Sequence, residues 1–406
     1  MKNVKWLVIL KNKNLTNYIL SKFISELGNG LHGTAIMLFI YSLSKSGIVV
    51  SKVLIAYSLP FIILSPFTGI VVDRFKRKKI LIVSDLLRVP LVALIPYCTS
   101  MYQILILTFL ISCISSFYRP AESALLPNIV SKDELLNANS LLTLARSIPN
   151  FIIGASLGGI ILSTFGSLAV FLFDAFTYLV SAFFILRIKV NETHTREVQH
   201  NNILQINLLL QNFKEGLKYI GDNYSLKTII SLMTFIAFLN SGLNTVLVIF
   251  SERIIKSSVS YGFFIASNGI GGILGAFLVK NFKIKNSLHI MVPAFAMGGV
   301  IDVLFSINRN IVIGMVLYVL SGFINTAMSI VFITFIQNYT KDQLRGRIFS
   351  VINALYSFFP IIAMGLAGYI AEVSNVLFIY YFAGFSKIFI YIYFNKSKKR
   401  RIKIME

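Results

Sequence analysis

The chain has 406 residues, of which 56% are hydrophobic and only 13% charged, with a mean hydropathy of +0.77. A soluble domain carries about twice that share of charge, so a water-soluble globular fold is excluded. The 38 Lys and Arg against 16 Asp and Glu leave a formal charge of +22, but the bases stand in short clusters between apolar runs, the positive-inside pattern of a membrane protein rather than a nucleic-acid groove.

Apolar runs near the ~20 residues needed to cross a bilayer lie at about 17–42, 49–72, 79–98, 102–119, 139–164, 167–187, 227–250, 259–280, 287–306, 310–336, 348–372 and 375–395. The Lys-rich N-terminus lacks a small-residue cleavage site after a short apolar core, so no removable signal is expected. The first run holds Glu26 and His32. Glu26 lies roughly 13 Å along its helix at about 1.5 Å per residue. An ionisable group at the bilayer centre costs about 2.5–3.5 kcal/mol on insertion scales. Glu26 therefore needs a reason to be there, and a structural pairing with Arg88 or Arg146 is one. His32, a lone histidine in an apolar run, reads as a hydrogen-bonding packing residue.

Between the second and third runs stands G-I-V-V-D-R-F-K-R-K, 69–78. This charged hinge is too short to hold a domain, so its two helices are antiparallel neighbours. Gly69 is expected to let their backbones approach closely. Asp73 is the only acid among the bases, and the residues by themselves read as a cytoplasmic loop held inside by positive charge. Asp85 and Arg88, three apart on the third run, read as a local ion pair. Cys98 and Cys113 lie inside apolar segments, so no disulfide framework is implied.

Arg146 in the fifth run has no partner at i±3 or i±4 and is expected to pair with Glu26, Asp73 or Asp85. G-A-S-L-G-G at 154–159 gives small-xxx-small spacing, Gly154 with Gly158 and Ala155 with Gly159, as in close helix packing. Asp174 in the sixth run has no local basic partner. The polar stretch 188–226 reads as a cytoplasmic linker, with Glu192, Arg196, Glu197, His200 and an amphipathic piece near 204–219. In the second half, Asn240 and Asn244 of the seventh run face a cavity with Asn325 and Thr326 of the tenth, or act as polar glue between helices. G-I-G-G-I-L-G at 269–275 is a packing face, since a phosphate loop needs a preceding strand and a terminal Lys-Ser or Lys-Thr. No Walker sequence appears, so no use of ATP is expected on this chain. Asp302, Glu372 and Lys387 read as lying near helix ends, where they can snorkel. No metal-ligand cluster or nucleophile constellation is visible, so neither cofactor, metal nor enzyme activity is expected.

With both termini cytoplasmic, inside segments hold about 30 of the 38 bases, and the outside loops only Lys45, Lys52, Arg253, Lys256 and Arg309. Arg88, Arg146 and Lys387 are the bases expected within helices, and Lys396, Lys398, Lys399, Arg400 and Arg401 form a juxtamembrane tail. S-K-D-E-L at 131–135 recurs as T-K-D-Q-L at 340–344, and at the same offset of 209 Ile152, Ile153, Leu157 and Gly159 match Ile361, Ile362, Leu366 and Gly368. The fold class is thus an all-α membrane protein of twelve transmembrane helices in two pseudo-symmetric bundles. Residues 1–187 form one six-helix bundle, 188–226 a linker, and 227–406 a second six-helix bundle with a basic tail.

The hinge resembles the signature loop of the major facilitator superfamily, G-x-x-x-D-R-x-G-R-K, with Gly69, Asp73, Arg74, Arg77 and Lys78 in place and Lys76 where the family has glycine. F-Y-R-P-A-E-S-A-L-L-P-N-I-V-S-K-D-E-L-L-N-A-N-S-L at 117–141, F-D-A-F-T-Y-L-V-S-A at 173–182 and Q-L-R-G-R-I-F-S at 343–350 resemble the branch of the macrolide efflux proteins and the enterobactin exporter. G-A-S-L-G-G looks like the end of the antiporter motif G-P-x-x-G-G, with Ala155 for proline and with Asn150 and Leu141 where glycines stand upstream. The resemblance implies a cavity lined by the first, fourth, seventh and tenth helices, gating by Asp73, Arg74 and Arg77, and export of a lipophilic or amphipathic compound by proton antiport. Glu26 is the expected coupling group, with Arg146 and Asp174 as further coupling or substrate residues. Glu26, with few other buried cations, favours cationic or neutral cargo. A siderophore or nutrient transporter on the same fold, or a non-transporting membrane partner or sensor, are the alternative readings. The expected partners are a small-molecule substrate, protons and membrane lipids but no nucleic acid, for a monomer in the bacterial plasma membrane.

Overall fold

A computed structural model describes residues 11–190, 202–279, 287–340 and 342–405. Glu192, Arg196, Glu197 and His200 of the expected linker lie outside the described residues, as do Lys280 and Lys341. The described residues form helices and no strand: α1 (Lys13–Ser44), α2 (Gly47–Arg74), α3 (Arg77–Leu94), α4 (Met101–Leu125), α5 (Leu135–Ser147), α6 (Ala155–Leu186), α7 (Asn202–Asp222), α8 (Tyr224–Phe250), α9 (Ser258–Val279), α10 (Ser287–Ile307), α11 (Ile311–Tyr339), α12 (Asp342–Val373) and α13 (Val376–Met405). Helices are what such apolar sequence must form, because lipid offers no partner for an open N–H or C=O. Their ends are written locally. The Asn12 side chain accepts from the backbone N–H of Asn14 and Leu15 to start α1. Lys45, at φ 52, closes that helix by donating its N–H to the Tyr41 carbonyl. Ser100 and Gln103 form a reciprocal cap at the start of α4.

Ten helical stretches among the described residues are long and apolar enough to cross a membrane. One of them, Asn137–Leu186, has 50 residues, about 75 Å of helix against a hydrocarbon core of about 30 Å. It breaks at Gly166, whose φ of 79° and ψ of 177° lie in a region essentially reserved for glycine. α1, with 32 residues, is as long as these spans but carries Lys22 and Glu26 in its middle.

The chain divides into two compact units. The first comprises α1, α2 from Lys52 onward, α3 to α6, and Tyr261–Ala266 of α9. Here α1 packs along α6, and α3 packs on both α6 and α4. Gly154 and Gly158 make the first contact possible: a Cβ added to them would stand 2.7 Å from the Leu27 carbonyl and 2.8 Å from that of Leu31. That is the close packing expected from their spacing. One end of the unit is sealed by Leu15, Tyr18, Leu81, Leu125, Leu142 and Ile185.

The second unit comprises Ser46–Ser51, α7, α8, α9 up to Ser260 and again from Ser267, and α10 to α13. α10 packs on α13, and α12 on α8 and α7. Phe250, Phe305 and Tyr380, with ring centroids 4.6–5.4 Å apart, join α8, α10 and α13. The amphipathic α7 is pinned to α12 by an ion pair of Glu215 with Arg347.

Two expectations are corrected. Gly69 is exposed, and a Cβ added to it would meet nothing within 4 Å, so it mediates no close helix contact. Asp302 and Lys387 do not snorkel from helix ends. They are buried against each other, with Lys387 Nζ 2.7 Å from Asp302 Oδ2.

Candidate functional site: a charged cavity in the first unit

The sequence of α1 repeats polar or small residues at helical spacing: Lys22, Ser25, Glu26, Asn29, His32 and Gly33. Steps of three and four keep them on one stripe. α4 carries a matching stripe of Thr108, Ser115, Tyr118, Arg119 and Glu122. Between these stripes lies a cavity of about 620 Å³, to which α3 adds Arg88, α5 adds Arg146 and α6 adds Tyr178. Apolar wall comes from Ile36, Met37, Tyr57 and Phe151. The size falls in the range of small-molecule sites, about 300–1,000 Å³.

Glu122 is the centre of the charge network. Its Oε1 lies 2.7 Å from Lys22 Nζ and 2.8 Å from Arg146 Nη2. Tyr18 donates its hydroxyl to the Glu122 backbone carbonyl at 2.7 Å, tying α1 to α4. Lys22 is also 3.6 Å from Glu26, one turn further along α1. Asn150 donates to Glu26 Oε2 at 2.7 Å. It can do so because residues 148–154 form a π-helical turn after α5, which rotates the chain by the extra residue and turns Asn150 toward α1. Behind this layer, Arg88 pairs with Asp85 at 3.5 Å, and Asp85 accepts from Ser181 at 2.7 Å. The Arg88 guanidinium stands over the rings of Tyr118 and Tyr178, 4.4 and 5.2 Å from their centroids.

The exposures separate these groups by role. Lys22 and Glu122 side chains are 2% and 5% exposed, so they form a dry pair whose attraction offsets the cost of leaving water. Glu26 is 17% and Arg146 41% exposed, so both meet the cavity while anchored to the network.

Arg146 therefore pairs with Glu122, an acid absent from its expected partners Glu26, Asp73 and Asp85. Lys22, absent from the bases expected within helices, is the most enclosed cation of the site. Its signal was its position four residues before Glu26. Glu122 lay inside a stretch whose family resemblance was plain but whose acid had no assigned role. The cavity holds four bases, Lys22, Arg88, Arg119 and Arg146, against two acids, Glu26 and Glu122. The premise of few buried cations, on which a preference for cationic cargo rested, does not hold.

Asp174 does not line the cavity. It is fully buried, and its Oδ2 lies 2.8 Å from Nδ1 of His32, which lines the cavity. In the second unit, Asn240 donates to Asn325 at 3.0 Å and accepts from Lys387 at 2.8 Å. Asn244 is exposed, and Thr326 faces Gly272 of α9; neither joins that chain. In the hinge, Arg74 and Lys76 are exposed and Arg77 is half-buried. Lys78 donates to the carbonyls of Leu186 and Ile188 at 2.9 and 2.8 Å, holding the end of α6. The side chain of Asp73 lies outside the described part of the structure.

A family model described as Major Facilitator Superfamily matches residues 18–364. The chain is 29% identical over 324 residues to a protein of Bacillus subtilis (strain 168) described as a bacilysin exporter, BacE, covering 75% of this chain and 76% of that one. It is 22% identical to the multidrug efflux pump Tap of Mycolicibacterium fortuitum, covering 86% and 87%. Among solved structures, the nucleoside transporter NupG superposes with a TM-score of 0.68 at 15% identity, over 95% of this chain and 98% of that one. At that identity the likeness speaks for the fold alone.

Proposed function

Since the chain belongs to the Major Facilitator Superfamily, and is a membrane-embedded transporter of small molecules rather than an enzyme, we propose that it exports a lipophilic or amphipathic compound by proton antiport with alternating access. The chain crosses the bacterial plasma membrane twelve times in this reading. The broken 50-residue stretch supplies two passes, and α1 one more beyond the ten apolar stretches. Both termini are cytoplasmic, the chain works as a monomer among membrane lipids, and Gly69, Asp73, Arg74, Arg77 and Lys78 form the loop that gates access. Export is the direction named for the relatives BacE and Tap.

The observation that carries the proposal is Glu26. It is an acid held at the wall of the cavity by the neutral Asn150 and Asn29, approached by Lys22 at 3.6 Å, and part-exposed. A carboxyl so placed gains a proton when its surroundings dry and releases it when they are wet, which is what antiport requires.

The test is flux from proteoliposomes under an imposed pH gradient, with a panel of amphipathic compounds inside. Gradient-dependent efflux of at least one compound is expected. Asp73→Asn is expected to abolish that efflux while the protein still inserts. Flux indifferent to the gradient would overturn antiport, and normal flux by well-expressed Asp73→Asn would reduce the hinge to a topology signal.

A further inference from the structure

The charges of the cavity have unequal amounts of binding capacity left. Lys22 is taken up by Glu122 and Glu26, and Arg88 faces Asp85. Arg146 spends Nη2 on Glu122, has no hydrogen-bond partner at its buried Nε, and still exposes two-fifths of its side chain. Arg88, nearly fully buried and lining the same space, has Nε and Nη2 without hydrogen-bond partners. Arg119 is exposed at the wall, its guanidinium lying over the Phe61 ring at 4.5 Å. Of the two acids, Glu122 already faces two cations at Oε1, and the Oε1 of Glu26 faces Lys22 at 3.6 Å. Even with Asp85 counted against Arg88, the site keeps one cation in excess. Buried donors without acceptors are costly and call for an acceptor from the occupant.

We propose that the cavity takes a small amphipathic zwitterion, with its carboxylate at Arg146 and Arg119, its amine at Glu26, and its apolar body against Ile36, Met37, Tyr57 and Phe151. This rests on the reading of the chain as an exporter and names its cargo class. Guanidinium groups suit a carboxylate because their planar fork can donate two parallel hydrogen bonds. A lipophilic cation meets four bases in the same space and is disfavoured by like charge. An amine can approach Glu26 because Lys22 stands 3.6 Å from its Oε1, beyond hydrogen-bond distance, and the other side chains that bond the carboxylate, Asn150 and Asn29, are neutral.

The experiment uses purified full-length protein in detergent and four probes: the dipeptide phenylalanyl-tyrosine, its C-terminal amide, its N-acetyl form, and tetraphenylphosphonium. Affinity is read by equilibrium dialysis and by the thermal shift of the protein. The free dipeptide is expected to bind at least tenfold tighter than the amide and at least tenfold tighter than the N-acetyl form. Arg146→Gln is expected to erase the preference for the free carboxylate, and Glu26→Gln the preference for the free amine. Should Arg146→Gln not fold, Arg119→Gln carries the same test, because Arg119 is exposed and holds no part of the Glu122 network; a severalfold loss of the carboxylate preference is expected.

Equal or tighter binding of the amide overturns the proposal, and so does a carboxylate preference that survives in both arginine variants. If tetraphenylphosphonium binds and is exported under a pH gradient while the dipeptide does neither, the cargo class is wrong and the exporter reading stands. Absence of binding and of gradient-driven flux for all four probes overturns both.

Discussion

Each unit buries a lysine against an acid, and the two pairs have the same separation. Lys22 and Glu122 stand 2.7 Å apart in the first unit, Lys387 and Asp302 2.7 Å apart in the second. Both pairs are nearly dry. They differ in what else reaches them. Glu122 is shared with Arg146, which is half in the cavity, and Lys22 leads to the part-exposed Glu26. Lys387 leads only to an amide, Asn240, and through it to Asn325. The comparison teaches that a buried pair by itself is a structural element, and that a second base and a water-accessible acid turn it into a site where charge can be moved or a ligand held.

The largest effect is expected where the pair has no alternative. Lys387→Met leaves Asp302 buried with no cation, and should cost about 3–5 kcal/mol of stability. Thermal unfolding in detergent checks this, and adding Asp302→Asn should recover most of the loss. A single variant as stable as the parent would show that the second unit is as open as the first, and would break the comparison.

A smaller cost is expected for Glu122→Gln, about 1.5–3 kcal/mol, the range for hydrogen bonds to charged groups. Lys22 then keeps Glu26 within one turn, and Arg146 can turn to water in the cavity. A loss equal to that of Lys387→Met would mean that the cavity offers Arg146 no hydration. Paired with Lys22→Met, the Glu122→Gln cycle should show coupling, since the two groups touch.

Glu26→Gln should cost least in stability, under about 1 kcal/mol, because glutamine can still accept from Asn150. Its effect belongs to function: transport should no longer follow the pH gradient. If Glu26 serves only to keep Lys22 in place, the variant should instead lose stability, and Lys22→Met should restore it. Gradient-driven export by a well-folded Glu26→Gln protein would rule Glu26 out as the coupling group. His32 and Asp174 would then be the next acid–base pair to test.

Much of the architecture was legible in the residues. Helices, their broad extents and the small-residue packing of Gly154 and Gly158 follow from local rules: apolar length, caps and spacing. The Asp85–Arg88 pair was legible for the same reason, being three apart on one helix. The site was legible only where it is local. Lys22 and Glu26 share a face of α1 and could be read together. Glu122 could not be assigned, because its two cations come from other helices. His32 and Asp174, 142 residues apart, and Lys387 and Asp302, 85 apart, are of the same kind.

The sequence by itself determined that this is a helical membrane protein, because in lipid each backbone group must find its partner within its own helix, and that constraint acts residue by residue. Only the tertiary structure decided which charges meet. α1 lies on α6 because Gly154 and Gly158 let two backbones approach, and a π-helical turn aims Asn150 at Glu26. Pairing between helices depends on that packing and on rotations set at single residues, and neither is written in the hydropathy or charge of any one segment.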